Sequence, residues 1–148
     1  MHDIRHKVGI NVPISVVYDA LATRDGLAKW WTRDVAGESQ PGGRLEFRFG
    51  GPDVAAVMEV MELGPQSRVQ WRCVAGPDEW MDTIISYELK LNGDETVVLF
   101  THADWRGPGE FMHHCSTKWA TFLVGLKAGL EGGKATPWPN DVTIDSWD

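Results

Sequence analysis

The sequence predicts an α+β domain in which a curved antiparallel β-sheet wraps around one long C-terminal α-helix, with two short helices after the first strand. Three observations carry this. From residue 44 to residue 103, apolar side chains recur mostly with period two and are interrupted by Gly-, Pro- and Asn-containing turns. From Phe111 to Leu130 the apolar period lengthens to that of a helix, and between Pro13 and Trp31 two short stretches show the same helical spacing.

The elements follow in order. His6, Val8 and Ile10 alternate with polar or small neighbours, so residues 4–11 read as the first strand. Pro13 suits the first turn of a helix, and Val17, Ala20 and Leu21 give that helix one apolar face. Thr23 is placed to cap a second short helix, with Asp25 in its first turn and Leu27, Trp30 and Trp31 at helical spacing. Leu45, Phe47 and Phe49 share one face of the next strand. Val69, Trp71 and Cys73 do so further on, as do Ile85, Tyr87, Leu89 and Leu91. The turns are Gly50-Gly51-Pro52-Asp53, Gly64-Pro65-Gln66-Ser67 and Asn92-Gly93-Asp94-Glu95.

Strands 54–63 and 96–103 are apolar in both phases, so hairpin register decides which residues point inward. Phe49 opposite Val54 pairs Phe47 with Ala56 and Leu45 with Met58. Leu63 opposite Arg68 pairs Val60 with Trp71 and Met58 with Cys73. Both hairpins thereby turn the even positions of 54–63 inward. Leu91 opposite Thr96 pairs Tyr87 with Phe100 and Ile85 with His102. Phe111, Cys115, Trp119, Phe122, Leu126 and Leu130 form one stripe along a helix from about Glu110 to Glu131, which Gly132-Gly133 ends. Residues 1–133 are read as a single domain and 134–148 as an acidic, proline-containing surface tail that Trp138 and Trp147 tack down.

Bulk properties bound the function. The chain has 148 residues, 43% hydrophobic and 24% charged, which suits one globular domain. Its net charge of −7, without any Lys/Arg run, lacks the footprint of phosphate-backbone binding, so no nucleic-acid partner is expected. No stretch reaches the about 18 apolar residues of a membrane span, and the N-terminus has no secretory character, so no membrane insertion is expected. Cys73 and Cys115 read as free thiols, which points to the cytoplasm.

A strongly curved sheet and a straight helix diverge along their length, so a gap between them is expected. The inward list is large and uncharged: Phe47, Met58, Val60, Trp71, Tyr87, Phe100, Trp119 and Phe122. Apolar walls with a few polar groups are how small-molecule pockets are made. The expected ligand-binding set is this list together with His102, and the expected partner is a small apolar molecule. No cofactor is expected. His102, His114, Cys73 and Cys115 are suitable metal-ligand types, but His113, His114 and Cys115 are consecutive and point about 100° apart on a helix. With no CxxC or HxxxH spacing, no metal is expected.

The order of these motifs resembles the START-like (SRPBCC) helix-grip superfamily, in the branch of the activator of the heat-shock-protein ATPase. The resemblance is carried by Val12-Pro13 leading into Val16–Leu21, by Leu27-Ala28-Lys29-Trp30-Trp31-Thr32, and by Gly42–Phe47. Glu59–Pro65 followed by Arg68-Val69, then Thr101-His102, and finally Lys118-Trp119 with Leu126 complete it, over roughly residues 8 to 131. The resemblance implies a hydrophobic cavity between sheet and helix, used across the superfamily for lipids, sterols, polyketides and plant hormones. It does not imply one activity. The chaperone activator has a separate N-terminal domain not seen in this sequence, so direct ATPase stimulation is not expected.

Three functions stay open at this point. The first is binding of a lipid-like or polycyclic molecule without catalysis, toward which the absence of a tight catalytic motif leans. The second is a cyclase or aromatase-like enzyme with His102 as general acid or base and Asp104, two residues on, orienting it. The third is a protein-interaction or co-chaperone-like module using Trp30, Trp31, Trp80 or Trp105 as anchors.

Overall fold

The computed structural model describes residues 1–51 and 53–148. Pro52, placed in a turn by its sequence, lies outside the described residues. Strand β1 (His2–Ile10) leads into helices α1 (Ile14–Ala22) and α2 (Arg24–Ala28). Strands β2 (Asp34–Gly37), β3 (Arg44–Arg48), β4 (Ala56–Gly64), β5 (Arg68–Ala75), β6 (Ile84–Asn92) and β7 (Glu95–Trp105) follow, and helix α3 (Glu110–Leu130) closes the order. The sheet runs β1-β7-β6-β5-β4-β3-β2 with every neighbouring pair antiparallel. Apart from β1, which folds back onto β7, it is a meander, and α3 packs against it.

Strand β2 is the element the sequence does not announce. Asp34-Val35-Ala36-Gly37 is too short to show alternation, and it becomes a strand only by pairing with β3, Val35 opposite Phe47. Gly37 makes that hairpin possible. Its φ is +97°, and a Cβ there would lie 2.0 Å from the Arg44 carbonyl oxygen. Gly37→Ala is expected to cost about 2 kcal/mol or more, read as a shifted urea-unfolding midpoint. An unchanged midpoint would show that the β2–β3 hairpin is not held in this form.

The hairpin registers agree with the pattern where they matter, with one instructive exception. Phe47 faces Ala56, Leu45 faces Met58, Tyr87 faces Phe100 and Ile85 faces His102. Between β4 and β5, Val60 faces Trp71 and Met58 faces Cys73, yet near the turn Gly64, not Leu63, faces Arg68. The register shifts between Val60 and Glu62, leaving Met61 as the extra residue of a β-bulge and 46% exposed. The bulge absorbs the one-residue difference, so Ala56, Met58 and Val60 still point into the core.

Two side chains depart from the alternation. Leu91 is 63% exposed because the β6–β7 turn projects past the layer that would cover it. Asp104 also faces solvent, although an extended strand would put it on the side of His102. The β1–β7 register shifts between His2 and Ile4, and Asp104 adopts φ +70°. The chain thereby rotates, Asp104 leaves the core face, and Trp105 is buried in its place. The Asp104 backbone N–H donates to Asp3 Oδ1 at 3.1 Å, which anchors the bulge.

Helix α3 buries Cys115, Trp119, Phe122 and Leu126 of the expected stripe, plus Leu123. It ends in a Schellman turn, with Gly132 at φ +98° and the Gly133 N–H donating to the Ala128 carbonyl at 2.8 Å. Beyond it, the tail runs back across the domain rather than away from it. The Trp138 N–H donates to the Trp31 carbonyl at 2.8 Å, and Trp138 bridges Thr32 in parallel. No helix among the described residues is long and apolar enough to cross a membrane.

Candidate functional site: an aromatic pocket under the C-terminal tail

The corner between α1 and α2 sets the position of the two adjacent tryptophans. The Gly26 N–H donates to Thr23 Oγ1 at 3.0 Å, capping α2 as its sequence suggests, and that hydroxyl donates to the Asp19 carbonyl at 2.7 Å. Trp30 is tied to α1 by its indole N–H, which donates to the Ala20 carbonyl at 2.9 Å. Trp31 points elsewhere, onto the concave side of the sheet. Its ring stacks on Trp71 (6.1 Å, 9°) and meets Trp119 of α3 at 4.9 Å.

Beneath Trp31 the expected wall residues are packed against one another. Phe47, Trp71, Tyr87, Phe100 and Trp119 form a chain of ring contacts between 4.7 and 5.8 Å. Met58 and Val60 are buried beside them. The open space lies to one end of this layer, as a pocket of about 520 Å³. Of the residues expected to bind a ligand, Trp119 and Phe122 line it. Phe47, Met58, Val60, Trp71, Tyr87, Phe100 and His102 do not. Large aromatic side chains on adjacent strands fill the sheet's concavity, and only where strand coverage ends does the gap persist.

One wall is helical, with Phe111, His114 and Cys115 beside Trp119 and Phe122. Trp31, Phe49 and Trp80 form the opposite wall, and Trp80 stacks on Trp119 (6.2 Å, 17°). The roof comes from the tail: Trp138, Pro139, Asp141, Thr143, Trp147 and Asp148. Trp80 and the tail tryptophans enter through loops whose sequence carries no period, so nothing in the pattern brings them to the same place.

His102 is fully buried and bonded through both nitrogens. Nδ1 accepts from the Trp119 indole N–H at 3.1 Å, and Nε2 lies 2.8 Å from Thr83 Oγ1. An indole can only donate, so the proton sits on Nε2 and is given to Thr83, whose hydroxyl donates in turn to the Trp80 carbonyl at 2.6 Å. Burial pushes the imidazole pKa down to about 3. Neither nitrogen is free to take a proton from a bound molecule, and Asp104 faces solvent. The His102–Asp104 pair anticipated for acid–base chemistry is therefore not assembled; His102 instead joins Trp119 to the Trp80 turn.

Charge enters the pocket through Lys118. It stands three residues after Cys115 and four before Phe122, on the apolar stripe itself, which is the signal that the sequence reading missed. Its ammonium donates to the Asp141 carboxylate, to Asp148 Oδ2 at 2.7 Å and to the Val142 carbonyl at 2.9 Å. Burial alone would lower the Lys118 pKa, but the two aspartates hold it above the ordinary lysine value. Nearby, His114 Nδ1 lies 2.8 Å from Asp145 Oδ2. His114, Asp145 and Asp148 bring potential metal-ligating atoms within 4.8 Å of one another. Asp148 is already neutralising Lys118, however, and an ammonium beside the group opposes a second cation. Burial raises the Cys73 thiol to about 11 and the Cys115 thiol to about 12, so neither is a nucleophile at neutral pH.

A family model described as "Activator of Hsp90 ATPase homolog 1-like protein" matches residues 11–131. The chain belongs to this family. Among solved structures, the chain is similar to the Aha1 dimer from Colwellia psychrerythraea. The two share 43% identity over 91% of this chain and 100% of that one, with a TM-score of 0.83. CalU16 from Micromonospora echinospora shares 18% identity over 90% of this chain and 76% of its own, at TM-score 0.74. DynU16, a putative protein in the dynemicin biosynthetic locus, shares 20% over 92% of this chain and 49% of its own, at TM-score 0.74. The last two share the fold with this family member, the helix-grip arrangement of curved sheet and long helix. None of the curated proteins matches the chain.

Proposed function

We propose that this protein binds a small apolar molecule in the pocket between α3, the Trp31 and Trp80 walls and the C-terminal tail. The observation that carries the reading is a space of about 520 Å³ lined chiefly by tryptophan and phenylalanine, with a few polar groups gathered at Lys118. Ligand sites commonly occupy about 300–1,000 Å³ with this balance of surfaces. Occurrence of the same fold in a protein of a biosynthetic locus fits a small-molecule role. Two free, buried cysteines suit a reducing compartment and support a cytoplasmic setting. Catalysis is not part of the proposal, because the pocket wall presents no activated nucleophile and His102 is committed to internal bonds.

N-phenyl-1-naphthylamine, an uncharged dye that brightens in apolar surroundings, tests the reading. Saturable uptake at one molecule per chain, with a blue-shifted emission, is expected. Native mass spectrometry of gently purified protein then shows whether a cellular molecule travels with the chain. No dye uptake at any concentration short of aggregation would defeat the binding proposal.

A further inference from the structure

The segment from Asp141 to Asp148 already occupies part of the pocket. Lys118 has three donors, and all three go to tail acceptors: Asp141, Asp148 and the Val142 carbonyl. Immediately before Asp148, the Trp147 indole rests against Phe111 at 6.3 Å and His114 at 5.8 Å. A planar aromatic group and a carboxylate, joined through adjacent residues, thus take the aromatic wall and the ammonium together. This segment lies at the rim. Trp147 is 50% exposed and its backbone N–H donates to Asp145 Oδ1 at 2.8 Å; apart from Lys118, the Asp148 carboxylate accepts, among the described residues, from the Ile144 and Asp145 backbone N–H groups at 3.3 Å each.

The two aspartates are not equivalent. Asp141 follows closely on Trp138, which is pinned to Trp31 and Thr32, and its side chain is 6% exposed against 17% for Asp148. Asp148 is the partner that can leave. With Asp148 gone, Lys118 keeps Asp141 but has one N–H without an acceptor beside the aromatic wall, a vacancy that an anionic group fills more strongly than a neutral one. An incoming anion would leave the local charge as it was, whereas a neutral ligand gains less from Lys118.

We propose that the pocket selects an aromatic or otherwise apolar anion, its carboxylate or equivalent acid group pairing with Lys118 in place of Asp148. The Trp147-Asp148 segment is the internal stand-in that the ligand displaces. The proposal rests on the binding reading above and adds the charge of the ligand to it.

Two dyes with the same ring systems separate the two ideas. N-phenyl-1-naphthylamine is neutral, and 8-anilino-1-naphthalenesulfonate carries one sulfonate. The quantity to read is the ratio of their affinities, which cancels general effects of a substitution on the pocket. Asp148→Asn removes the competing carboxylate and is expected to shift that ratio about tenfold toward the sulfonate, an ordinary size for one charge-assisted contact. Adding Lys118→Gln to Asp148→Asn is expected to return the ratio to the wild-type value or below. Circular dichroism checks that both variants are folded. If the neutral dye binds but the ratio is the same in all three proteins, or the gain survives loss of Lys118, the anion proposal is overturned while the pocket stands. If neither dye binds, both proposals fall.

Discussion

Replacing Trp71 with alanine is expected to lower the free energy of unfolding by about 4 kcal/mol, the largest loss of any single substitution discussed for this protein. Trp71 is wholly buried at the middle of the sheet, on β5. It touches Trp31 from the helical corner, Phe47 from β3 and Tyr87 from β6, with ring centroids 5.3 to 6.1 Å apart. Truncation would leave a void among large rigid rings that are held by three different elements and cannot all move in together. Chemical denaturation with equal m-values for both proteins gives the number directly. Trp71→Phe should cost much less, for a reason visible in the structure. The Trp71 indole N–H is buried without a hydrogen-bond partner among the described residues, so exchanging it for phenylalanine also removes an unsatisfied donor. Equal losses for alanine and phenylalanine would mean that packing around this ring does not dominate the core.

Acidification should destabilise the protein through His102, and a variant that cannot titrate should be spared. The imidazole has a pKa of about 3 in the folded chain, against an ordinary value of 6.5 once unfolded. Between those values the unfolded chain binds the extra proton and the folded chain does not. Stability is therefore fully present above pH 6.5 and declines as pH falls toward 3, by up to about 1.4 kcal/mol per pH unit. From pH 7.5 to pH 4.5 this group alone should remove between about 2 and about 3 kcal/mol. His102→Gln breaks the bonds to Trp119 and Thr83 and should cost about 2 kcal/mol at pH 7.5. Its further loss on going to pH 4.5 should nevertheless be smaller than that of the wild type by the amount His102 contributes. Urea unfolding of both proteins at the two pH values reads the difference, and carboxylates common to both cancel. Parallel acid losses would show that His102 is not held neutral by burial.

The same histidine shows where a strand pattern stops being informative. Its inward position on β7 follows from the hairpin register that pairs Ile85 with His102, which is legible in the chain. Its chemistry does not follow, because that depends on an indole from α3 and a hydroxyl from β6's approach arriving at its two nitrogens. Asp104 is a sharper case. Period two puts it beside His102, and a single bulged residue with positive φ turns it to solvent and buries Trp105 in its stead. Bulges are set by how two strands meet, and one strand's sequence contains only half of that information. At Met61 a bulge acts in the opposite sense, keeping the inward set of β4 as its hydrophobic pattern requires despite a turn one residue shorter than a Leu63–Arg68 pairing would leave.

Periodicity, hairpin register and capping chemistry determined the strands from β3 onward, the helix stripe from Phe111 to Leu130, the cap at Thr23 and the buried aromatic layer, because each depends on residues close in sequence or directly opposed across a hairpin. Only the tertiary structure decided where the empty space lies. Packing of Trp31 onto Trp71 and Trp119 closes the concave centre, and the return of the tail onto Lys118 roofs the end that remains open. Both are contacts between segments far apart in the chain, and their energies depend on distances and angles that no local pattern specifies.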